Sequence, residues 1–391
     1  MDQAIAITLE AVKATLNNTK IHLPRHAQDA VFKISKENGF SGMLFTALNQ
    51  EDLDPSIYAA FKKEFYLYHT QDIHQLDTIT QLKSILNQHN IPHILLKGSH
   101  LKTMYPATYM RGMGDIDILI KKDAMNAVHR CLKKEGFTLT HQSAQHDIFE
   151  SPNKVPVEVH PKLYKPIDKK YAPLFQDVWR YAKVQKKSTY LFDPHFELAY
   201  LLYHIVKHFH GTGIGLRTVL DIGIFLDNKK HDISLDTLTE LLKSSSLYTF
   251  FINTLYLNYR YFDINPYPSL IDSPPIDEAT FEQLTAYITT SGIHGTGTSF
   301  NNFISRLGAS NMHKKGKLAF TLRLMFPSYQ TMKGLYPWLK YMPLLYPFTW
   351  LIRLGNKALF QRRKMAYRYK QLRVDKDIIE DTSTLYKSIG L

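Results

Sequence analysis

A single cysteine, Cys131, occurs in 391 residues, which excludes an internal disulfide framework and a cysteine-based zinc cluster. It lies on the apolar side of an expected helix and reads as a small buried core residue rather than a nucleophile. Long apolar runs are also missing. The nearest, 335–354, is broken by Lys340, Arg353 and three prolines (Pro337, Pro343, Pro347), so no membrane span is expected. The start Met1-Asp2-Gln3-Ala4 lacks the basic-then-apolar pattern of a secretion signal, which leads us to expect a cytoplasmic protein. Internal repeats and low-complexity tracts are absent. Acid is missing from one long stretch. Residues 311–374 hold fourteen Lys or Arg and no Asp or Glu. The net charge of the whole chain is +13, so the remainder is close to neutral. Basic character confined to one region points to an anionic neighbour there.

The rest is an ordinary globular balance, 44% hydrophobic and 21% charged, long enough for two or three domains. We divide it into an N-terminal helical region (1–90), an α/β module (91–190), a helical domain (191–310) and a basic aromatic helical tail (311–391). Leu76, Ile79, Leu82, Ile85 and Leu86 recur at helical spacing, and residues 87–90 end that helix. A buried strand over 93–96 follows, then a short helix over 99–105 that opens at the Gly98-Ser99 turn and stops at Tyr105-Pro106. Strands are expected over 115–120, 137–140, 147–150 and 155–160, with a helix over 123–135 that stops at Gly136. Helices resume over 196–210 and 216–227. Residues 266–275 form a Pro-rich connection, and 291–297 a glycine-rich loop too irregular for a phosphate-binding signature.

Two strands carry the chemistry. Side chains alternate faces along a strand, so Asp115 and Asp117 point one way, while Ile116, Ile118 and Ile120 point into a core. In the later strand Glu158 faces away from Val157 and Val159. Three acids on neighbouring strands repel unless something cationic sits between them. The natural occupant is Mg²⁺, or Mn²⁺, hard ions that share oxygen ligands with substrate phosphates. That layout suits metal-dependent phosphoryl or nucleotidyl transfer.

The ordered set Leu96-Lys97-Gly98-Ser99, Tyr105-Pro106, Arg111, Gly114-Asp115-Ile116-Asp117-Ile118-Leu119, Gly136-Phe137 and Val157-Glu158-Val159-His160 resembles the bacterial nucleotidyltransferases often labelled uncharacterised, within the DNA polymerase β-like superfamily. The resemblance is strongest over 90–165. The gap from Ser99 to Asp115 is a few residues longer than is usual in the superfamily but similar to this subfamily. The resemblance implies an α/β (α+β) nucleotidyltransferase domain with a mixed sheet, flanked by N-terminal helices and a C-terminal helical region. It implies a magnesium- and nucleotide-binding (ATP-binding) transferase that moves an NMP from an NTP to an acceptor hydroxyl and releases pyrophosphate. Asp115, Asp117 and Glu158 are then metal ligands and catalytic groups. Glu158 is also a candidate general base whose proton affinity a neighbouring anion pair would raise. Gly98 lets the backbone approach phosphates. Ser99 opens a helix whose free N–H groups favour anions. Lys97 and Arg111 are candidates for the β- and γ-phosphates, although Arg111 could instead pair with Asp115.

His204 and His208 share one helix face at i, i+4. A zinc protease needs Glu after the first of such a pair, and Ile205 stands there. The pair faces the nucleotide or seats the helices on the α/β module. Arg217 and Asp221, also i, i+4, read as a helix salt bridge. His160 shares the face of Glu158 and would orient it or touch substrate. The acceptor is a small molecule, sugar, RNA or protein. Residues 318–350 interleave Phe320, Phe326, Tyr329, Tyr336, Trp338, Tyr341, Tyr346, Phe348 and Trp350 with basic residues. That pattern suits an ordinary helical subdomain, an anionic membrane surface at the inner face of the membrane, or nucleic acid, with membrane ranked above nucleic acid. The competing classes are a non-catalytic protein of the same fold that docks at a membrane or partner, and a toxin-like transferase acting on tRNA.

Overall fold

The computed structural model describes residues 2–143, 145–164, 169–209, 213–292, 326–360 and 383–391. Three helices open the chain: α1 (Gln3–Leu16), α2 (Gln28–Glu37) and the short α3 (Ser41–Leu44). Asp2 caps α1 by accepting from the backbone N–H of Ala4 at 2.8 Å. The long α4 (Pro55–Gln88) starts with Pro at its first turn, where a missing N–H costs nothing. Its first half buries Ile57 and Phe61 against the N-terminal helices. Its second half buries Ile79, Leu82, Ile85 and Leu86 against a sheet. One helix therefore joins the two hydrophobic cores.

The sheet is built from β1 (His93–Leu95), β2 (Ile116–Ile120), β3 (Thr138–Gln142), β4 (Asp147–Glu150), β5 (Pro156–His160), β6 (Ala182–Lys186) and β7 (Thr189–Phe192). Their order is β3-β4-β5-β2-β1-β7-β6. β2 lies parallel to β5 and antiparallel to β1, and β1 is parallel to β7, so the sheet is mixed. Between β1 and β2 lies the single turn α5 (Gly98–Leu101), continued as 3₁₀ helix by Lys102–Met104. α6 (Met125–Lys134) covers the face that carries Ile116, Ile118, Ile120, Val157 and Val159. Cys131 is buried in this layer, and Gly136 ends the helix at φ +82°.

The β6–β7 hairpin was not anticipated. β6 reads Ala-Lys-Val-Gln-Lys and is largely exposed at the sheet edge, so it carries no apolar alternation to betray it.

Five helices follow: α7 (Pro194–Phe209), α8 (Leu216–Lys229), α9 (Leu235–Ser244), α10 (Tyr248–Phe262) and α11 (Glu278–Ser291). Their apolar faces, the N-terminal helices and Ile94 and Leu119 of the sheet share one core. Leu385, Tyr386 and Ile389 join it from the end of the chain, where Tyr386 donates to the carbonyl of Phe209 at 2.8 Å. α12 (Tyr329–Leu335) and α13 (Tyr346–Phe360) pack on one another. The Tyr346 hydroxyl and the Trp350 indole both donate to the carbonyl of Pro327 there, at 2.6 and 3.2 Å. Residues 293–325 and 361–382 lie outside the described residues, and with them most of the glycine-rich loop and ten of the fourteen basic positions of 311–374.

Candidate active site

Register brings the acids together. In the parallel β2–β5 ladder Asp117 stands opposite Glu158, and Ile116 opposite Val157. Aligned residues of a parallel pair share a face, so both carboxylates leave the sheet on the side opposite the isoleucine core. Asp115 sits two residues earlier, on the same side. Ile116, Ile118, Val157 and Val159 are each at most 1% exposed, which anchors that orientation.

The face opens into a cavity of about 300 Å³ between the sheet and helices α7 and α8. Lys97, Gly98, Arg111, Asp115, Asp117 and Glu158 line its sheet side. His204, Lys207, His208, Arg217 and Asp221 line its helical side. Ser99 is not among the lining residues. It is buried, its hydroxyl has no hydrogen-bond partner among the described residues, and the α-helical turn it opens is four residues long. So short a turn has little macrodipole to offer an anion beyond its free backbone N–H groups.

Lys97 stands just after β1 at φ 48°, ψ −124°, a backbone region that favours glycine. Its ammonium donates to Asp117 Oδ1 at 2.7 Å. His160 Nε2 reaches the same oxygen at 2.7 Å and Glu158 Oε2 at 3.3 Å. Burial alone would push the Asp117 carboxyl up, but Lys97 and His160 overcome it and hold the group well below the usual carboxylate range. The same pairing outweighs burial at Lys97 and raises its pKa.

The expectation for Glu158 is reversed. Its hydrogen bond with His160 holds its pKa down despite the neighbouring acids. Asp115 takes the opposite shift: burial, Asp117 and Glu158 together raise it to about 6. Asp115 makes no hydrogen bond or ion pair among the described residues, and Lys97 and His160 offset its charge only in part.

Arg111 is also placed differently from expectation. It pairs neither with Asp115 nor with open solvent. Its guanidinium donates to both oxygens of Asp221 on α8, at 2.8 and 3.2 Å, and the Tyr105 hydroxyl donates to Asp221 Oδ1 at 2.8 Å. The expected Arg217–Asp221 helix salt bridge is accordingly absent, because the buried, planar guanidinium of Arg111 takes the carboxylate in two-pronged fashion. A Cβ on Gly98 would fall 2.3 Å from Arg111 Nη1, so the glycine of the Gly-Ser turn makes room for this guanidinium.

The long loop between α5 and β2 carries Arg111 to its partner, and α4 holds that loop. Gln75 donates to the carbonyl of Met113 at 2.7 Å, Thr108 to Asp72 at 2.7 Å, and buried Lys102 pairs with Asp72 at 2.5 Å.

Arg217, displaced from Asp221, faces the cavity with its Nε unpartnered, and among the described residues no carboxylate pairs with it. Burial and the nearby charge of Arg111 lower its pKa. His204 Nε2 lies 3.0 Å from His208 Nε2. Burial, Lys97 and Lys207 hold His204 well below the usual imidazole range, so it is neutral at pH 7. Sequence reasoning missed the roles of Tyr105 and Asp221, and it passed over His146, which stands 3.7 Å from Glu158 Oε1. An i, i+4 pair has an obvious local partner, and nothing in the sequence announces that a distant loop will win it.

A mixed sheet with three carboxylates on one face, roofed by helices that present cations, defines an α/β module of the nucleotidyltransferase class. The chain belongs to the family described as uncharacterised nucleotidyltransferases, whose model matches residues 24–263. The match runs from just before α2 to the residue that ends α10, so it takes in both walls of the cavity and stops short of α12 and α13. No curated protein and no solved structure matches the chain.

Proposed function

We propose that this chain is a divalent-metal-dependent nucleotidyltransferase that moves an NMP from an NTP to an acceptor hydroxyl. One observation carries the reading: Asp115, Asp117 and Glu158 converge on a cavity whose other wall holds Arg217 and Lys207. Donors of one sign and a cationic wall facing them match the two ends of a metal-bound triphosphate. The acids fit Mg²⁺ or Mn²⁺ on donor chemistry, since all are carboxylates, and burial with the two neighbouring acids raises the proton affinity of Asp115. Such an ion, when bound, would neutralise phosphate charge and polarise the reacting phosphorus. The chain's own groups do the rest. Arg217 holds the leaving pyrophosphate, its guanidinium having an unpartnered Nε and no carboxylate partner among the described residues. Lys97 fixes Asp117, and Arg111 braces α8 against the sheet through Asp221. With the ion held by the acids, a carboxylate oxygen that the ion leaves free takes the acceptor's proton as the new P–O bond forms and pyrophosphate departs.

The test is incubation of the purified protein with labelled NTPs and Mg²⁺, with release of pyrophosphate as readout. Asp115→Asn and Asp117→Asn should each lower turnover by about a hundredfold or more. Asp115→Asn should stay folded, because that carboxyl makes no hydrogen bond or ion pair among the described residues. Turnover retained in both variants would sink the reading.

A second reading concerns where the protein works, and one observation favours it. Among the described residues, Phe326, Leu335, Trp338, Tyr341, Met342, Leu344, Phe348, Leu351 and Ile352 are exposed large hydrophobics crowded into 326–360. They share that stretch with Lys333, Lys340, Arg353 and Lys357 and no acid. An apolar surface of one charge sign suits an anionic lipid surface, into which it would lie without crossing. Among the described residues no helix is long and apolar enough to cross a membrane. Flotation with vesicles should recover the protein when anionic lipid is present, and Leu344→Asp with Leu351→Asp should abolish recovery. Equal binding to neutral vesicles, binding to single-stranded RNA in their place, or no flotation at all would remove the lipid reading.

A further inference from the structure

Beside the three carboxylates lies a second set of ligand atoms with different chemistry. His160 Nε2 is 3.3 Å from Glu158 Oε2, and His146 Nε2 is 3.7 Å from Glu158 Oε1. Among the described residues, His146, Glu158 and His160 form the group of His, Cys, Asp or Glu whose ligand atoms all lie within 4.8 Å of one another. Three atoms that share an ion at about 2.0–2.2 Å stand roughly 3–3.6 Å apart, whether the angles are tetrahedral or octahedral. The two histidine–glutamate spacings are close to that condition, and the set as a whole, within 4.8 Å, closes on an ion by side-chain rotation of roughly an ångström.

The backbone explains the convergence. Glu158 and His160 are alternate residues of β5 and leave the sheet on one side. His146 closes the turn between β3 and β4, where Ser143 donates its hydroxyl to the His146 carbonyl at 2.8 Å and accepts from the His146 N–H at 3.2 Å. β4 pairs with β5, and its Ile148 stands opposite Glu158. That pairing brings the turn back over the acid. The two imidazole rings are 5.2 Å apart.

We propose that His146, Glu158 and His160 bind a transition-series divalent cation such as Zn²⁺, Co²⁺ or Mn²⁺ in preference to Mg²⁺. Two imidazole nitrogens and one carboxylate favour such ions, whereas Mg²⁺ takes oxygen and gives up water reluctantly. On binding, His160 exchanges its hydrogen bond to Asp117 for a bond to the ion, and Asp117 keeps its bond from Lys97. Glu158 belongs to both sets, so a cation here sits directly beside the carboxylates assigned to the nucleotide. The inference needs no nucleotidyl transfer, since the ligand atoms are in place without a substrate.

The experiment is titration of the chelator-stripped full chain with Co²⁺ as a visible-absorption probe, with no NTP present. We expect one Co²⁺ per chain, displaced by Zn²⁺ and not by millimolar Mg²⁺. His146→Ala should weaken binding by about tenfold or more. His146→Cys should restore it with the added charge-transfer band of a thiolate ligand, which separates lost ligation from lost folding. An unchanged Co²⁺ titration in His146→Ala, or displacement by equimolar Mg²⁺, would overturn the proposal. Because no nucleotide is used, failure here leaves the transferase reading untouched, and failure of NTP turnover leaves this one untouched.

Discussion

Beside Asp117 and Glu158, Asp115 keeps a carboxyl that makes no ion pair among the described residues. Its pKa of about 6 in the folded chain lies above the ordinary value near 4. A group whose proton affinity rises on folding costs stability as pH climbs from the unfolded value through the folded one, with the full cost present above it. Asp115→Asn should therefore stabilise the metal-free protein at pH 8 by about 1–3 kcal/mol and change little at pH 4. Urea denaturation at the two pH values checks this. A loss of stability at pH 8 would mean that the acid has a cationic partner in solution. Added Mg²⁺ should stabilise the native chain at pH 8 and do less for the variant, because the cation relieves the same repulsion.

At the scale of elements, β2, β5 and α8 each carry residues that serve one wall of the cavity. The strands were legible because burial on one face writes a period of two into the sequence: Ile116, Ile118 and Ile120 against Asp115 and Asp117, and Val157 and Val159 against Glu158. α8 was legible as a helix, but the allegiance of its charges was not. Arg217 and Asp221 satisfy the local rule, worth only about 0.2–0.5 kcal/mol at an exposed site. Arg111 offers two charge-assisted hydrogen bonds in a buried setting, a far larger effect. Asp221→Ala should cost about 3–5 kcal/mol by leaving Arg111 buried and unpaired. Replacing both as Arg111→Met with Asp221→Leu should recover much of that loss. Chemical denaturation of the single and double variants decides it: additive costs would mean that the two residues do not interact.

Over the whole molecule, the strands, the flanking helices and the acids were readable from local patterning, whereas the mixed sheet was expected only from the family resemblance. The β6–β7 edge hairpin, the four-residue α5 and the shared core of N-terminal and later helices were not readable. An exposed edge strand has no periodicity, and contacts between residues hundreds of positions apart leave no trace in one chain. The charge asymmetry was legible and has a consequence for solution behaviour. If the basic tail meets lipid through both charge and apolar contact, raising NaCl from about 0.1 to 0.5 M should cut recovery on anionic vesicles several-fold without abolishing it. Complete release by salt would mean that the exposed aromatic and aliphatic groups contribute nothing.

The tie between Arg111 and Asp221 also bears on ancestry. One partner arrives on a loop of the sheet and the other on a helix more than a hundred positions later. A recombination event that swapped either half for foreign sequence would strand an ion in the interior. The sheet and its helical roof can thus be inherited only together, and any lineage that trades one for a new specificity must first neutralise the other.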